Sequence, residues 1–106
     1  MKTYNIVITP SAKNNLLDIF EYIALDSLSR AETFIDQMVE SLSKTLSIFP
    51  LAGKVYNDVS FNFELRSLAH KNYVAFYKVT NDTVEILFIF NSAQNIQGLL
   101  SYLITK

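Results

Sequence analysis

YVAFYKVTNDTVEILFIF, residues 73–90, decides the fold of this chain. Two runs of apolar, β-branched and aromatic residues flank the dipeptide Asn81-Asp82, which is typical of a two-residue turn between strands. The pattern predicts an antiparallel hairpin with strands at residues 72–80 and 83–90. The second run is apolar on both faces except for Glu85, which predicts a central position in the sheet. A weaker pattern at residues 63–68 predicts one more strand before the hairpin.

The N-terminal stretch predicts a strand that leads into a helix. TYNIVIT, residues 3–9, alternates in the manner of a half-buried strand, with Tyr4, Ile6 and Ile8 on one face. Thr9-Pro10 then supplies an N-cap and a proline at the first helical position. An apolar stripe with helical spacing follows over residues 10–26.

A second helix is predicted between the break at residues 26–28 and Pro50. Ser29 and Glu32 have the spacing of a capping box, so Ser29 is the expected N-cap. The apolar positions recur at i, i+3 and i+4 for about five turns, and Pro50 ends the pattern. The short break between the two helices predicts an antiparallel helical hairpin.

The chain is therefore expected to be α+β, a two-layer sandwich in which the helical hairpin packs on a small, mostly antiparallel sheet of about four strands. Residues 54–62 are expected to form a connection. Residues 93–105 have the apolar stripe of a C-terminal helix, although Gly98 weakens that pattern. With 106 residues and no linker-like tract, residues 1–106 are expected to form a single domain.

Composition narrows the classes of function. Nine Lys and Arg against ten Asp and Glu give a net charge of −1, which argues against tight binding to nucleic acid through phosphate contacts. The absence of cysteine excludes disulfides and thiolate metal sites, and we expect neither a metal nor a cofactor. With no apolar run long enough to span a membrane and no signal-peptide pattern at the N-terminus, we expect a cytoplasmic protein.

The mean hydropathy of +0.20 is high for a small domain. Two explanations fit it: a dense core, or an exposed apolar patch that a partner covers.

Three residues in ELRSLAHKNYVAFYKV, residues 64–79, are candidates for catalysis: Arg66, His70 and Tyr77. Basic residues interleaved with aromatics are typical of an RNA-handling surface, but a half-exposed hairpin has the same alternation. Arg66 shares strand parity with Glu64, so it is expected either to form an ion pair or to make a contact on the open face of the sheet. His70 is expected in a turn between two strands. Tyr77 is expected either to pack in the sheet or to stack on bases.

Three segments in order resemble the RelE/ParE superfamily of type II toxin–antitoxin toxins. They are YNIVITPSAKNNLLDIFEYIALDS, AETFIDQMVESLSKTLSIFPLAG with its FP-x-x-G end, and LRSLAHKNYVAFYKVTNDTVEILFIF. The resemblance implies a toxin that a small cognate antitoxin neutralises in a hetero-oligomer, with a role in plasmid stabilisation. It also implies two alternative mechanisms, since RelE-like members cut mRNA on the ribosome and ParE-like members poison DNA gyrase without a hydrolytic site.

The segment after the last predicted strand favours the ParE-like branch. IFNSAQNI, residues 89–96, has no Arg, Lys, His or Tyr, and Asn91, Ala93 and Gln94 stand where RelE-like members carry histidine and arginines. Amides neither exchange protons near neutral pH nor offer positive charge. We therefore expect a gyrase-binding toxin rather than an enzyme. The alternatives are a ribosome-dependent mRNA endonuclease that uses Arg66 with His70 or Tyr77, and an inert member that only binds antitoxin.

Overall fold

The fold is a five-stranded sheet with a helical hairpin on one face, seen in a computed structural model that describes residues 2–56 and 61–104. The elements are β1 (Asn5–Ile8), α1 (Pro10–Ala24), α2 (Leu28–Ile48), β2 (Lys54–Val55), β3 (Arg66–His70), β4 (Tyr73–Val79), β5 (Thr83–Asn91) and α3 (Ile96–Ile104). The strand order is β1-β5-β4-β3-β2. β1 runs parallel to β5 and the other neighbours are antiparallel. The predicted α+β class and the central position of β5 are confirmed.

Both long helices begin at capped N-termini. Thr9 caps α1 as predicted, and its hydroxyl accepts a hydrogen bond from the Ala12 amide. The predicted cap of α2 at Ser29 is wrong, because α2 begins two residues earlier. Ser27 has an extended backbone and its hydroxyl accepts from the Arg30 amide at 3.2 Å. An exposed Arg30–Asp26 ion pair at 2.9 Å links the first turn to the interhelical break.

The main core lies between the helical hairpin and one face of the sheet. Its fully buried members include Met38 and Leu46 of α2, Tyr77 of β4 and Ile86 of β5. These positions belong to the apolar stripes and strand faces that the sequence pattern defines. Burial of this surface supplies most of the free energy that holds the two layers together.

The sheet departs from the prediction on the side of β3. A two-residue strand, β2, lies within the predicted connection at residues 54–62 and pairs with β3 at its edge; residues 57–60 of that connection lie outside the described part of the chain. β3 covers residues 66–70 rather than 63–68. The strand extends to His70 because β3 pairs with β4 from Arg66 as far as His70, while Phe63 and Leu65 precede it and pack in the apolar cluster on the opposite face of the sheet.

A β-bulge on β5 explains how both of its faces are used. Phe76 pairs with Phe88 and Tyr77 with Ile86, so Leu87 is an extra residue with no partner on β4. Ile86 and Ile89 therefore both face the helices, while Phe88 and Phe90 face the other side. Without the extra residue, Phe88 and Phe90 would point at the helical hairpin.

The second face of the sheet carries a smaller apolar cluster. Leu65, Phe76, Phe90 and Leu100 are buried in it. Leu100 belongs to α3, so the predicted C-terminal helix exists and packs on the sheet. The sheet face that was predicted to be open is therefore partly covered by α3. Residue 105, the predicted end of this helix, lies outside the described residues.

Candidate functional site

Tyr77 anchors the chain where α2 gives way to β2, a segment that we call the α2–β2 corner (residues 49–53). The Tyr77 hydroxyl donates to the Pro50 carbonyl at 2.8 Å and accepts from the Gly53 amide at 2.9 Å. The side chain is fully buried. Both polar functions of the phenol are thus used by backbone groups, and the corner is fixed to the middle of the sheet.

Arg66 ties the same corner to β3. Its guanidinium donates to the Gly53 carbonyl at 2.8 Å and to the Leu51 carbonyl at 3.3 Å, and it forms an ion pair with Glu64 at 2.9 Å. Only 16% of the Arg66 side chain is exposed. The planar fork of arginine can satisfy several acceptors at once, and here those acceptors belong to the protein itself.

Burial raises the pKa of the Tyr77 phenol, and the hydrogen bond from Gly53 and the nearby Arg66 guanidinium partly offset this rise. The phenol therefore stays neutral near pH 7. A general acid must reach the group to which it gives its proton, whereas this hydroxyl is directed at a backbone carbonyl. Its geometry is that of a structural anchor.

His70 is the last residue of β3, not a residue of the turn. It pairs with Tyr73, and the two-residue turn between them is Lys71-Asn72, with Lys71 at φ 55°. The ring lies edge-on to Phe34 of α2 at 6.0 Å between centroids, and its buried Nε2 has no hydrogen-bond partner among residues 2–56 and 61–104. Burial, with the charge of Lys71 as the second cause, lowers the pKa of His70.

The structure brings two of the three candidates together and leaves the third apart. Arg66 and Tyr77 are cross-strand partners on β3 and β4. His70 lies four residues further along β3, about 13 Å away along the strand. All three share the strand face that packs against the helices, because Leu68, which lies between Arg66 and His70, joins the main core. Arg66 is therefore not on the far face of the sheet, where a functional contact was expected.

A groove of about 570 Å³ lies between α1 and the end of β5. Its lining includes Asp18 and Tyr22 of α1, Tyr73, and the Asn91 and Gln94 side chains. Gln94 accepts from the Asn91 amide and Asn91 accepts from the Ala93 amide, both at 2.8 Å. These two side chains stabilise the end of β5 and the loop after it, and among the described lining residues the one carboxylate is Asp18.

Asn15 is a contributor that sequence reasoning missed. Its side-chain oxygen accepts a hydrogen bond at 2.9 Å from the Ile89 amide, which lies on β5 beyond the end of β1. An unpaired strand amide at that point would otherwise be left without an acceptor. A polar residue on the inner side of an amphipathic helix was the signal that could have identified it.

Large apolar side chains are exposed at two ends of the molecule. Tyr22, Leu25 and Leu28 are exposed around the tip of the helical hairpin, with Leu25 87% accessible. Phe49 and Leu51 are exposed at the α2–β2 corner, at 65% and 61%. The high mean hydropathy thus has a contribution from exposed surface as well as from the core.

Two classes of site find no support within residues 2–56 and 61–104. No helix in these ranges is both long and apolar enough to cross a membrane. Nor do His, Asp and Glu side chains there form a group of three that could hold a metal ion.

Two solved toxin–antitoxin structures share this fold. One, the chromosomal ParDE system from P. aeruginosa, has a TM-score of 0.68 at 21% identity, covering 84% of this chain and 96% of that chain. The other, the RelBE2 complex from Mycobacterium tuberculosis, has a TM-score of 0.63 at 22% identity, covering 89% of this chain and 97% of that chain. The fold is thus the one found in ParE and RelE toxins.

The family is shown by sequence. Residues 6–96 match the family model described as the ParE toxin of the type II toxin–antitoxin system parDE. The chain therefore belongs to the ParE toxin family, as the resemblance implied. No match was found among curated protein sequences.

Proposed function

We propose that this chain is a ParE-like toxin that acts by binding a protein target, DNA gyrase by family analogy, and that a cognate antitoxin holds it inactive. One toxin domain carries the activity, and no hydrolytic step is involved. The single observation that carries the proposal is the state of Arg66, whose guanidinium is engaged by Glu64 and two backbone carbonyls.

RNA cleavage through a 2′-hydroxyl requires a base, a cation for the phosphorane and an acid for the leaving oxygen. Here the Arg66 guanidinium is engaged by groups of the protein, the Tyr77 hydroxyl is directed at Pro50, and His70 lies at the far end of β3. The end of β5 and the loop after it contribute the side-chain amides of Asn91 and Gln94 in place of charged groups. This arrangement supports a binding function over an endonuclease.

The antitoxin part of the proposal is supported by exposed apolar surface along α1 and α3. A second depression of about 320 Å³ adjoins the groove described above and shares Asn15, Phe90 and Leu99 with it. Its lining reaches Tyr102 and Leu103 of α3, which are both exposed. A partner segment lying along α1 would remove this surface from water.

The direct test combines a gyrase assay on the purified protein with growth and transcript measurements in cells that express it. Under the proposal, the toxin inhibits gyrase supercoiling, the protein arrests growth when induced alone, and co-expression of the antitoxin encoded beside it restores growth. Ribosome-bound transcripts remain intact. Truncated mRNAs in the induced cells would instead identify an endonuclease, and normal growth on induction would identify an inert member that only binds antitoxin.

A further inference from the structure

The α2–β2 corner presents an apolar depression of about 570 Å³. We call its lining residues the corner patch: Tyr4, Ile48, Phe49, Pro50, Leu51 and Ala52. Phe49 and Leu51 are each more than 60% exposed. Two large apolar side chains this accessible and two residues apart leave a hydrophobic surface in water, which in a small soluble protein indicates a contact site.

The corner patch is exposed without being loosely held. Tyr77 binds the backbone on both sides of Leu51, at Pro50 and at Gly53. Arg66 donates to the carbonyls of Leu51 and Gly53. Three of these four hydrogen bonds are buried or partly buried, and together they fix the backbone of residues 50–53 before any partner arrives. A preorganised surface loses less conformational entropy on binding than a mobile one.

Two lysines border the corner patch. The Lys2 ammonium lies 4.7 Å from the centre of the Tyr4 ring and donates to the Asn81 carbonyl at 2.8 Å. Lys44 precedes Ile48 by one helical turn, so the two side chains are neighbours on the surface of α2. Among the residues that the structure describes, Glu64 reaches this corner, and its charge is compensated by Arg66.

From this combination we infer that the corner patch docks the toxin onto an acidic surface of its protein target that carries a large apolar side chain for the depression. The inference rests on the proposed function, since it requires a protein target. Rigidity favours a folded partner over a segment that orders on binding, because two preformed surfaces can associate with little rearrangement. Lys2 and Lys44 supply the attraction and the orientation, and Phe49 with Leu51 supplies the apolar contact.

Growth arrest on induction tests the docking without presuming which target is bound. Phe49→Ser and Leu51→Ser each remove an exposed apolar side chain while keeping the backbone groups that Tyr77 and Arg66 hold. We expect each to weaken target binding about tenfold or more, so that higher expression is needed to stop growth. Leu25→Ser and Leu28→Ser are matched controls at the hairpin tip and should arrest growth like wild type.

The lysines are tested separately by charge reversal. Lys2→Glu combined with Lys44→Glu should weaken growth arrest about tenfold or more, since the reversed charges repel an acidic surface, whereas Lys13→Glu on α1 should not. Thermal midpoints of all variants should match that of wild type, and all should still co-purify with the antitoxin, which shows that they are folded.

The outcomes separate the inference from the proposed function. If wild-type protein causes no growth arrest, the proposed function fails and the docking fails with it. If wild type arrests growth and the corner-patch variants do so equally, the docking alone is overturned. Variants that stay toxic but escape neutralisation would assign the corner patch to the antitoxin, which also overturns it.

Discussion

Gly53 and Tyr77 lie 24 residues apart in the chain, and the Gly53 amide donates a hydrogen bond of 2.9 Å to the Tyr77 hydroxyl in the buried interior. The same hydroxyl donates to Pro50. One side chain of the central sheet therefore determines where the chain goes after the longest helix. Arg66 binds the same corner from β3, so two of the three candidate residues hold the backbone of this corner in place.

Tyr77→Phe should lower the free energy of unfolding by about 1–3 kcal/mol, because the Gly53 amide and the Pro50 carbonyl lose their partner in a buried place. Urea unfolding followed by circular dichroism measures the change. Tyr22→Phe is the matched control, since Tyr22 is 73% exposed and its substitution should change little. A Tyr77→Phe protein with unchanged stability but no toxicity would contradict the structural role.

Arg66→Lys should cost about 1–2 kcal/mol, because a single ammonium cannot replace the guanidinium fork that reaches Glu64 and two carbonyls. Arg30→Lys should cost less than about 0.5 kcal/mol, since the Arg30–Asp26 pair is exposed. Thermal or urea unfolding compares the two. Equal losses would mean that the contacts at the α2–β2 corner add nothing to stability.

Gly53→Ala should destabilise the fold by about 1–3 kcal/mol through overpacking. A Cβ at Gly53 would lie 2.5 Å from the Ser67 carbonyl oxygen and 2.7 Å from the Tyr77 hydroxyl oxygen. Gly98→Ala is the comparison: its Cβ would lie 2.6 Å from the Asn95 side-chain nitrogen, and moving that side chain breaks its hydrogen bond from the Gly98 amide. This loss offsets the helix preference of alanine, about 1 kcal/mol, so the larger fall in the unfolding midpoint is expected at Gly53.

Lowering the pH should destabilise the protein through His70. Its folded-state pKa lies below the ordinary 6.5, so the unfolded chain binds a proton first and stability falls as pH decreases through about 6.5. Among the described residues, Phe34, Tyr73 and Lys71 lie near the ring, and none of them is a carboxylate that could stabilise the imidazolium.

The check is urea unfolding at pH 7.5 and 5.5 for wild type and His70→Gln. Wild type should lose more stability over this interval than the variant, which cannot titrate there. Carboxylates contribute equally to both proteins, so the difference isolates the histidine. A larger loss in His70→Gln would show that the imidazolium is stabilised in the folded state.

Local patterns predicted most of the elements because they depend on near neighbours. The 3.6-residue period of α2 and the alternation around Asn81-Asp82 are properties of a few consecutive residues. Prediction failed where neighbouring residues carry similar signals. Ser27 and Ser29 can both cap a helix, and the structure uses Ser27. Residues 63–68 alternate like a strand, but the strand covers residues 66–70, and Phe63 and Leu65 pack in the second apolar cluster.

Sequence by itself determined the α+β class and the helical hairpin, because these follow from residue type and spacing. Tertiary structure decided what Arg66, His70 and Tyr77 contact. Arg66 could have faced solvent or a partner, and it binds residues 51 and 53 because β2 and the corner fold back beside β3. The bulge at Leu87 likewise depends on pairing with β4 and on Thr9, whose hydroxyl donates to the Ile86 carbonyl 77 residues away. Contacts between residues so far apart in sequence leave no pattern among neighbouring residues, because they form only when the strands assemble into the sheet.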